Sequence, residues 1–178
     1  KMPNNSVETY KYDCMNRLCE KTDVLGNVEK YTYTAIGKIK TVEDASGRKL
    51  EYDYYPGGLV KSIRKSNGDA EFYTYNRNGM LATKTNAKGY ELCYSYDVQN
   101  RMTEIRNNDV VLKSYTYDRL GNCTSMTDAN GNVTKYAYNV AGKLSAVTDA
   151  EGNSTYYEYN ELDQLVSVLQ SEGALEAD

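Results

Sequence analysis

The chain has 178 residues, a formal net charge of −4, 19 tyrosines, one phenylalanine and neither histidine nor tryptophan. Charges of both signs are interspersed, which argues against binding to nucleic acid or to an anionic membrane surface. No apolar run reaches the ~18 residues of a membrane-spanning helix, and without histidine a Ser-His-Asp or Cys-His catalytic site cannot form. We therefore expect no catalytic residue, no enzyme activity and no membrane insertion.

A Tyr-x-Tyr pair recurs every 21 residues from Tyr10 to Tyr159 without a slip. A fixed step of this kind predicts a stack of identical supersecondary units. We expect residues 1–178 to be one array from a longer polypeptide, with a tail at 173–178 and repeats that begin near residues 6, 26, 47, 68, 89, 110, 131 and 152. The tyrosines of the central pairs form a candidate structural ladder that is also a candidate surface for ligand stacking: Tyr31, Tyr33, Tyr52, Tyr54, Tyr73, Tyr75, Tyr94, Tyr96, Tyr115, Tyr117, Tyr136 and Tyr138.

Two turn signals punctuate each repeat. The pattern Asn/Asp-x-x-Gly, as in 128–131 and 149–152, favours a type I turn followed by a residue with positive φ. Gly, Asn and Asp tolerate positive φ best. The predicted turn glycines are Gly37, Gly47, Gly58, Gly68, Gly79, Gly89, Gly121, Gly131, Gly142 and Gly152.

The sixth repeat departs from this pattern. Val110 stands where the other repeats from the second onward begin with glycine, and a β-branched residue strongly resists positive φ. We therefore expect the turn after Ile105 to shift, so that Asn108 or Asp109 takes the positive φ.

The runs between turns are about five to six residues long and rich in β-branched and aromatic residues, which predicts strands. The fold class is therefore all-β: eight 21-residue β-hairpin repeats, with about 16 strands in an open antiparallel sheet. Strand twist predicts that this sheet spirals. The two tyrosines of a pair share one face, and the polar residues between them face the opposite, wetter side. Because tyrosine is almost the only large residue, we expect its rings to form the core.

Few other residues suggest a site. Residues 128–132 and 149–153 resemble calcium loops in their acidic spacing, but the needs of a hairpin turn explain the same residues. Cys14, Cys19, Cys93 and Cys123 form no C-x-x-C pair and are interpreted as free thiols. We expect no metal and no cofactor. Exposed sheet edges would favour self-association of the chain.

Several stretches carry a family resemblance. Tyr-Thr-Tyr-Asp-Arg-Leu-Gly-Asn (115–122), Tyr-Ala-Tyr-Asn-Val-Ala-Gly-Lys-Leu (136–144) and Thr-Asp-Ala-Asn-Gly-Asn-Val-Thr-Lys-Tyr (127–136) resemble the YD repeats of RHS proteins, wall-associated repeat proteins, toxin-complex C subunits and teneurins. The resemblance covers about residues 6 to 172. It implies a long β-sheet wound into a shell that encloses or displays a C-terminal domain, often a toxin. This segment would then form part of the wall of that shell, with other repeats and the C-terminal domain as its partners. The resemblance implies a secreted or bacterial cell-surface location.

A second hypothesis stays open at this point. The tyrosine ladder would also suit an extracellular adhesion module, because flat aromatic rings stack on sugar faces and a repeating ladder suits a repeating polymer. Such a module would bind carbohydrate or another cell surface. The exposure of the rings distinguishes the two hypotheses.

Overall fold

The computed structural model describes residues 7–172, so the predicted repeat start near residue 6 and the predicted tail at 173–178 lie outside the described residues. Within that range the regular structure consists of sixteen β-strands, and their order in the sheet is the chain order. The predicted all-β, antiparallel, open sheet is confirmed, and its spiral stays a prediction. None of the described segments is a helix with the length and apolarity needed to cross a membrane.

The chain divides into two compact units, Lys1–Glu91 and Leu92–Asp178. In the first unit each strand pairs antiparallel with the next along the chain. Its strands are β1 Thr9–Tyr12, β2 Leu18–Thr22, β3 Val28–Tyr33, β4 Ile39–Glu43, β5 Lys49–Tyr54, β6 Val60–Lys65, β7 Ala70–Tyr75 and β8 Leu81–Asn86.

The second unit repeats the same meander, and its first strand, Glu91–Tyr96, lies within it except for Glu91. Successive strands again pair antiparallel. The strands are β9 Glu91–Tyr96, β10 Met102–Asn107, β11 Val110–Tyr117, β12 Cys123–Asp128, β13 Val133–Tyr138, β14 Leu144–Thr148, β15 Ser154–Tyr159 and β16 Leu165–Ser171.

The turns have the geometry that Asn/Asp-x-x-Gly predicts. In the turn that starts at Asp128, the N–H of Gly131 donates to the carbonyl of Asp128 (3.1 Å) and the N–H of Asp128 donates to the carbonyl of Asn132 (3.0 Å). Gly131 has a φ of 87°. The Oδ1 atom of Asp128 accepts the N–H groups of Asn130 and Asn132 (2.8 and 2.9 Å), so the carboxylate caps its own turn.

The sixth repeat confirms the predicted shift. Asn108 has a φ of 48°, and Val110 is the first residue of β11. The positive φ therefore falls on a residue that tolerates it, and the β-branched side chain stays in extended backbone.

Each hairpin carries one register irregularity beside its second tyrosine. In β1–β2, Lys11 pairs with Glu20 while Tyr12 pairs with Leu18, so Cys19 is the extra residue. The same shift recurs in the other seven hairpins. A bulge of this kind bends the strand and increases its twist.

The two faces of the sheet differ as the sequence predicts. Tyr31 and Tyr33 are half-buried, whereas Thr32 between them is exposed. Strand β13 repeats this alternation, with Ala137 as its exposed residue. The period of two places both tyrosines of a pair on one face, which we call the tyrosine face.

The expected tyrosine core, however, is absent from the described residues, where no apolar side chain is buried. The two buried side chains are Thr41 and Ser62, and Thr41 lies on the face opposite the tyrosines. Its hydroxyl is 2.6 Å from that of Thr32, its partner across the ladder. A second layer would be needed to cover the rings fully, and residues 7–172 form none, so the tyrosine pairs from Tyr31 to Tyr138 remain half-buried.

The turn geometry predicts a clear difference between two glycines of the first unit. Gly37 has a φ of 81°, Gly57 does not have a positive φ, and neither would place a Cβ atom within 4 Å of another group. Gly37→Ala should lower the free energy of unfolding by about 1–2 kcal/mol through backbone strain alone, whereas Gly57→Ala should leave it unchanged or raise it slightly. Urea denaturation measures both, and equal losses would contradict this explanation.

The turn carboxylates predict a pH dependence of stability. The pKa of Asp118, Asp128 and Asp149 is lowered, first by the hydrogen bond from an asparagine side chain four residues later. A carboxyl whose folded pKa lies below its unfolded value of about 3.9 stabilises the fold fully above about pH 5. That stability is lost as the pH falls through the folded pKa.

The matched variant replaces these three aspartates by asparagine. Asn139 caps its turn with the same two backbone hydrogen bonds, from Ala141 and Lys143 (both 3.0 Å), so the turns should still form. We expect a smaller decrease of the urea midpoint between about pH 5 and pH 3 than in the original chain. An unchanged decrease would show that other carboxyls carry the pH dependence.

Candidate functional site

The most regular side-chain contact joins one repeat to the next. The hydroxyl of the second tyrosine of a pair donates to the carbonyl of the residue fifteen positions earlier, which begins the preceding strand. We call this the inter-repeat tyrosine contact. It occurs from Tyr33 to Leu18 (2.6 Å), Tyr54 to Ile39 (2.7 Å), Tyr117 to Met102 (2.6 Å), Tyr138 to Cys123 (3.0 Å) and Tyr159 to Leu144 (3.0 Å).

This contact lies where the backbone ladder between repeats has ended. The β2–β3 ladder holds three pairs and its last is Glu20 with Lys30, two residues beyond Leu18. The Leu18 carbonyl therefore has no ladder partner on this side, and an unpaired, partly desolvated carbonyl is costly. The hydroxyl of Tyr33 takes the place of the missing backbone donor.

A cation covers the ring of the same tyrosine. The guanidinium carbon of Arg17 lies 4.6 Å from the ring centroid of Tyr33. Its Nε donates to Asp13 (2.7 Å) and its Nη1 to the carbonyl of Thr34 in the next repeat (3.4 Å). The planar guanidinium can stack on the ring and still use its donors at the edge.

The cation recurs at the same repeat position. Arg101 lies 4.7 Å from the ring centroid of Tyr117, donates to Asp97 (2.6 Å) and reaches the carbonyl of Asp118 (2.9 Å). Lys38 lies 5.6 Å from the ring centroid of Tyr54. Our sequence analysis missed this contact, although Tyr-Asp-x-x-x-Arg at 12–17 and 96–101 was the available signal.

The first tyrosine of a pair makes a different contact. The Tyr31 hydroxyl donates to the carboxylate of Glu29 (2.6 Å), and the Tyr73 hydroxyl donates to that of Glu71 (2.6 Å). The hydrogen bond to Glu29, with burial, raises the pKa of Tyr31 to about 12. For Tyr73, burial and then the bond to Glu71 raise the pKa. Both phenols therefore stay protonated and act as donors.

One further tyrosine joins the face from a turn. The ring of Tyr55 meets that of Tyr75 edge to face, with centroids 6.2 Å apart and an interplanar angle of 87°. The Tyr55 hydroxyl donates to the carbonyl of Tyr73 (3.1 Å). This geometry suits the quadrupoles of both rings and connects neighbouring repeats a second time.

Five open grooves of the described residues lie near the turns between repeats, and none of these five has a tyrosine in its lining. One groove of about 360 Å³ is lined by Val42, Leu50 and Lys65 among others. Within residues 7–172 no group of three or more carboxylate or thiol side chains is placed to hold a metal ion.

The inter-repeat tyrosine contact predicts a hydroxyl-specific effect. Tyr117→Phe should lower the free energy of unfolding by about 1 kcal/mol, because the Met102 carbonyl loses its donor. Tyr115→Phe is the matched control, since the Tyr115 hydroxyl makes no hydrogen bond to the described residues. Urea denaturation of both variants measures the free energy of unfolding. An equal decrease in the two variants would mean that the hydrogen bond of the Tyr117 hydroxyl does not contribute to stability.

Comparison with known proteins identifies the repeats. The family profile described as RHS Repeat matches residues 73–109, 117–154 and 138–175, and the matched ranges include more than half of the chain. No curated protein matches the chain.

Solved structures share the fold. A crystal structure of TcdB2-TccC3-Cdc42 superposes with a TM-score of 0.76 at 16% identity, over 89% of this chain and 10% of that chain. The TcdB2-TccC3-TEV structure superposes with a TM-score of 0.65 at 15% identity, over 93% of this chain and 11% of that chain. The Tc holotoxin pore of Photorhabdus luminescens superposes with a TM-score of 0.59 at 17% identity, over 94% of this chain and 9% of that chain. The chain thus spans about a tenth of the chains that it matches.

The profile match agrees with the geometry described above. Each described hairpin has a Tyr-x-Tyr pair and an αL turn residue, and five of them carry a tyrosine hydroxyl that reaches the neighbouring repeat. This chain belongs to the RHS-repeat family and is a structural repeat segment of an RHS protein.

Proposed function

We propose that this chain is a non-catalytic part of the wall of an exported shell, which encloses or displays the C-terminal domain of the same polypeptide. The single observation that carries the proposal is the inter-repeat tyrosine contact. Tyr33, Tyr54 and Tyr117 use their hydroxyls on backbone carbonyls and carry a cation at the ring. The hydroxyls of these side chains therefore hold neighbouring repeats together and are not free to bind a ligand.

The similar structures support the same proposal. Two of them contain TccC3, one together with TcdB2 and one in a Tc holotoxin pore, and this chain corresponds to about a tenth of such chains. A secreted or cell-surface location in a bacterium fits those relatives. The partners would be further repeats and a C-terminal domain of the polypeptide that contains this segment.

The adhesion hypothesis retains one observation in its favour. The rings of the candidate ladder are only half-buried, and two tyrosines outside the pairs, Tyr90 and Tyr156, expose 48% and 44% of their surface. A sugar would need an open ring face for stacking, and Arg17 and Arg101 already occupy the faces of Tyr33 and Tyr117. We therefore rank binding of carbohydrate below a wall function.

Intact-mass analysis of the native full-length polypeptide, combined with limited proteolysis, tests the wall function. We expect a C-terminal piece that copurifies with the repeats and resists protease while the repeats are folded. Urea at the unfolding midpoint of the repeats should make that piece sensitive to protease. A C-terminal piece that is cleaved at the same rate with and without folded repeats would argue against enclosure.

Calorimetric titration of the chain with soluble oligosaccharides at millimolar concentration tests the alternative. We expect no heat beyond that of dilution. Arg101→Met should uncover the ring of Tyr117, which makes this variant the more sensitive probe. Saturable binding by the original chain would favour adhesion, and binding by the variant alone would show that the arginine blocks the ring.

A further inference from the structure

One groove of the first unit is apolar where its neighbours are charged. It has a volume of about 360 Å³, and its lining includes Val42, Leu50 and residues of the turn 65–68. Val42 pairs with Tyr31 on one side and with Leu50 on the other, so both apolar side chains lie on the tyrosine face. We call this the apolar groove.

The equivalent grooves one repeat earlier and one repeat later have a carboxylate at the position of Leu50. The earlier groove is lined by Lys21 and Glu29, which are the counterparts of Val42 and Leu50. The later groove is lined by Glu71. The apolar groove therefore differs from both neighbours by the replacement of a carboxylate with a hydrocarbon side chain.

This replacement removes a hydrogen bond that the fold could have used. Glu29 accepts the hydroxyl of Tyr31 at 2.6 Å, whereas Leu50 has no acceptor to offer. The hydroxyl of the equivalent Tyr52 accordingly makes no hydrogen bond to the described residues. Proteins commonly give up a local interaction of this kind at functional sites.

Lys65 departs from the repeat pattern in the same groove. It stands where the neighbouring repeats have Asp44 and Asn86, each of which caps its own turn with two backbone hydrogen bonds. A lysine side chain cannot accept such bonds. Because Lys65 pairs with Leu50 in the β5–β6 ladder, its side chain lies on the tyrosine face beside the apolar residues.

The ammonium group of Lys65 forms no ion pair with the described residues, because the nearby carboxylates have other partners. Glu71, which shares the later groove with Lys65, pairs with Lys84 at 3.1 Å. Asp44 pairs with Arg48 at 2.6 Å. The apolar groove thus combines a hydrocarbon floor with a cation that is available to an anion.

We propose that the apolar groove binds a small apolar carboxylate, with its hydrocarbon body against Val42 and Leu50 and its carboxylate at the ammonium group of Lys65. This binding site lies beyond the proposed wall function. Its volume falls within the usual range for small-molecule sites, which combine apolar walls with a few polar groups that orient the ligand. For a ligand of the size of naphthoate we expect a dissociation constant of about 1 mM.

An NMR titration of the isotope-labelled chain with naphthoate tests the site. We expect saturable shifts of the backbone amides of Ser66 and Asn67, which line the apolar groove. The amides of Ala87 and Lys88, which line the later groove, should not shift. Naphthamide, the neutral analogue, should bind at least about threefold more weakly, since it lacks the charge that pairs with the lysine.

Leu50→Glu gives the apolar groove the residue that both neighbours have, and it should weaken naphthoate binding at least ~10-fold. The new carboxylate can accept the Tyr52 hydroxyl, as Glu29 accepts that of Tyr31, so the variant should fold. Urea denaturation checks this, and we expect no decrease in its free energy of unfolding.

Lys65→Gln should weaken the binding of naphthoate about threefold and leave that of naphthamide unchanged. Lys61→Gln, at an exposed residue of the same strand outside the groove, is the matched control and should change neither. The absence of saturable shifts at ~10 mM naphthoate, equal binding of naphthoate and naphthamide, or unchanged binding by folded Leu50→Glu would each overturn the proposal.

Discussion

The hydrogen bond from a tyrosine hydroxyl to a backbone carbonyl fifteen residues earlier is the contact on which the stacking of repeats depends. Ladders inside the hairpins have four to six pairs, for example six in β15–β16. The ladders that join successive hairpins are shorter: β14–β15 and β2–β3 have three pairs each. The side chain therefore supplements the weaker connection, and an inserted residue would move the hydroxyl away from its carbonyl, which explains why the 21-residue step never slips.

The aspartate that follows the second tyrosine has two functions at once. In Asp97, Oδ1 accepts the N–H groups of Gln99 and Arg101, and Oδ2 accepts the Arg101 side chain. It thus closes the turn and aims the arginine at the next repeat. Asn139 still performs the first function. This division explains how Asn139 can take the place of the aspartate while the turn itself still forms.

A sheet without a covering layer has to gain its stability along its own plane. Tyrosine suits this task because its ring covers a neighbouring strand while its hydroxyl reaches a backbone acceptor. A leucine in place of Tyr117 would cover the strand and leave the Met102 carbonyl without its donor.

The sequence by itself determined the local features of this protein: the strands, their phase, the face of each tyrosine pair and the turn residues. These depend on a period of two and on which residues accept positive φ, so even the shifted turn at Asn108 was predictable. Only the tertiary structure decided that Tyr33 reaches Leu18, that Arg101 covers Tyr117, and that Thr41 rather than a tyrosine is buried. Those contacts depend on register and on the absence of a covering layer from the described residues, neither of which a single strand encodes.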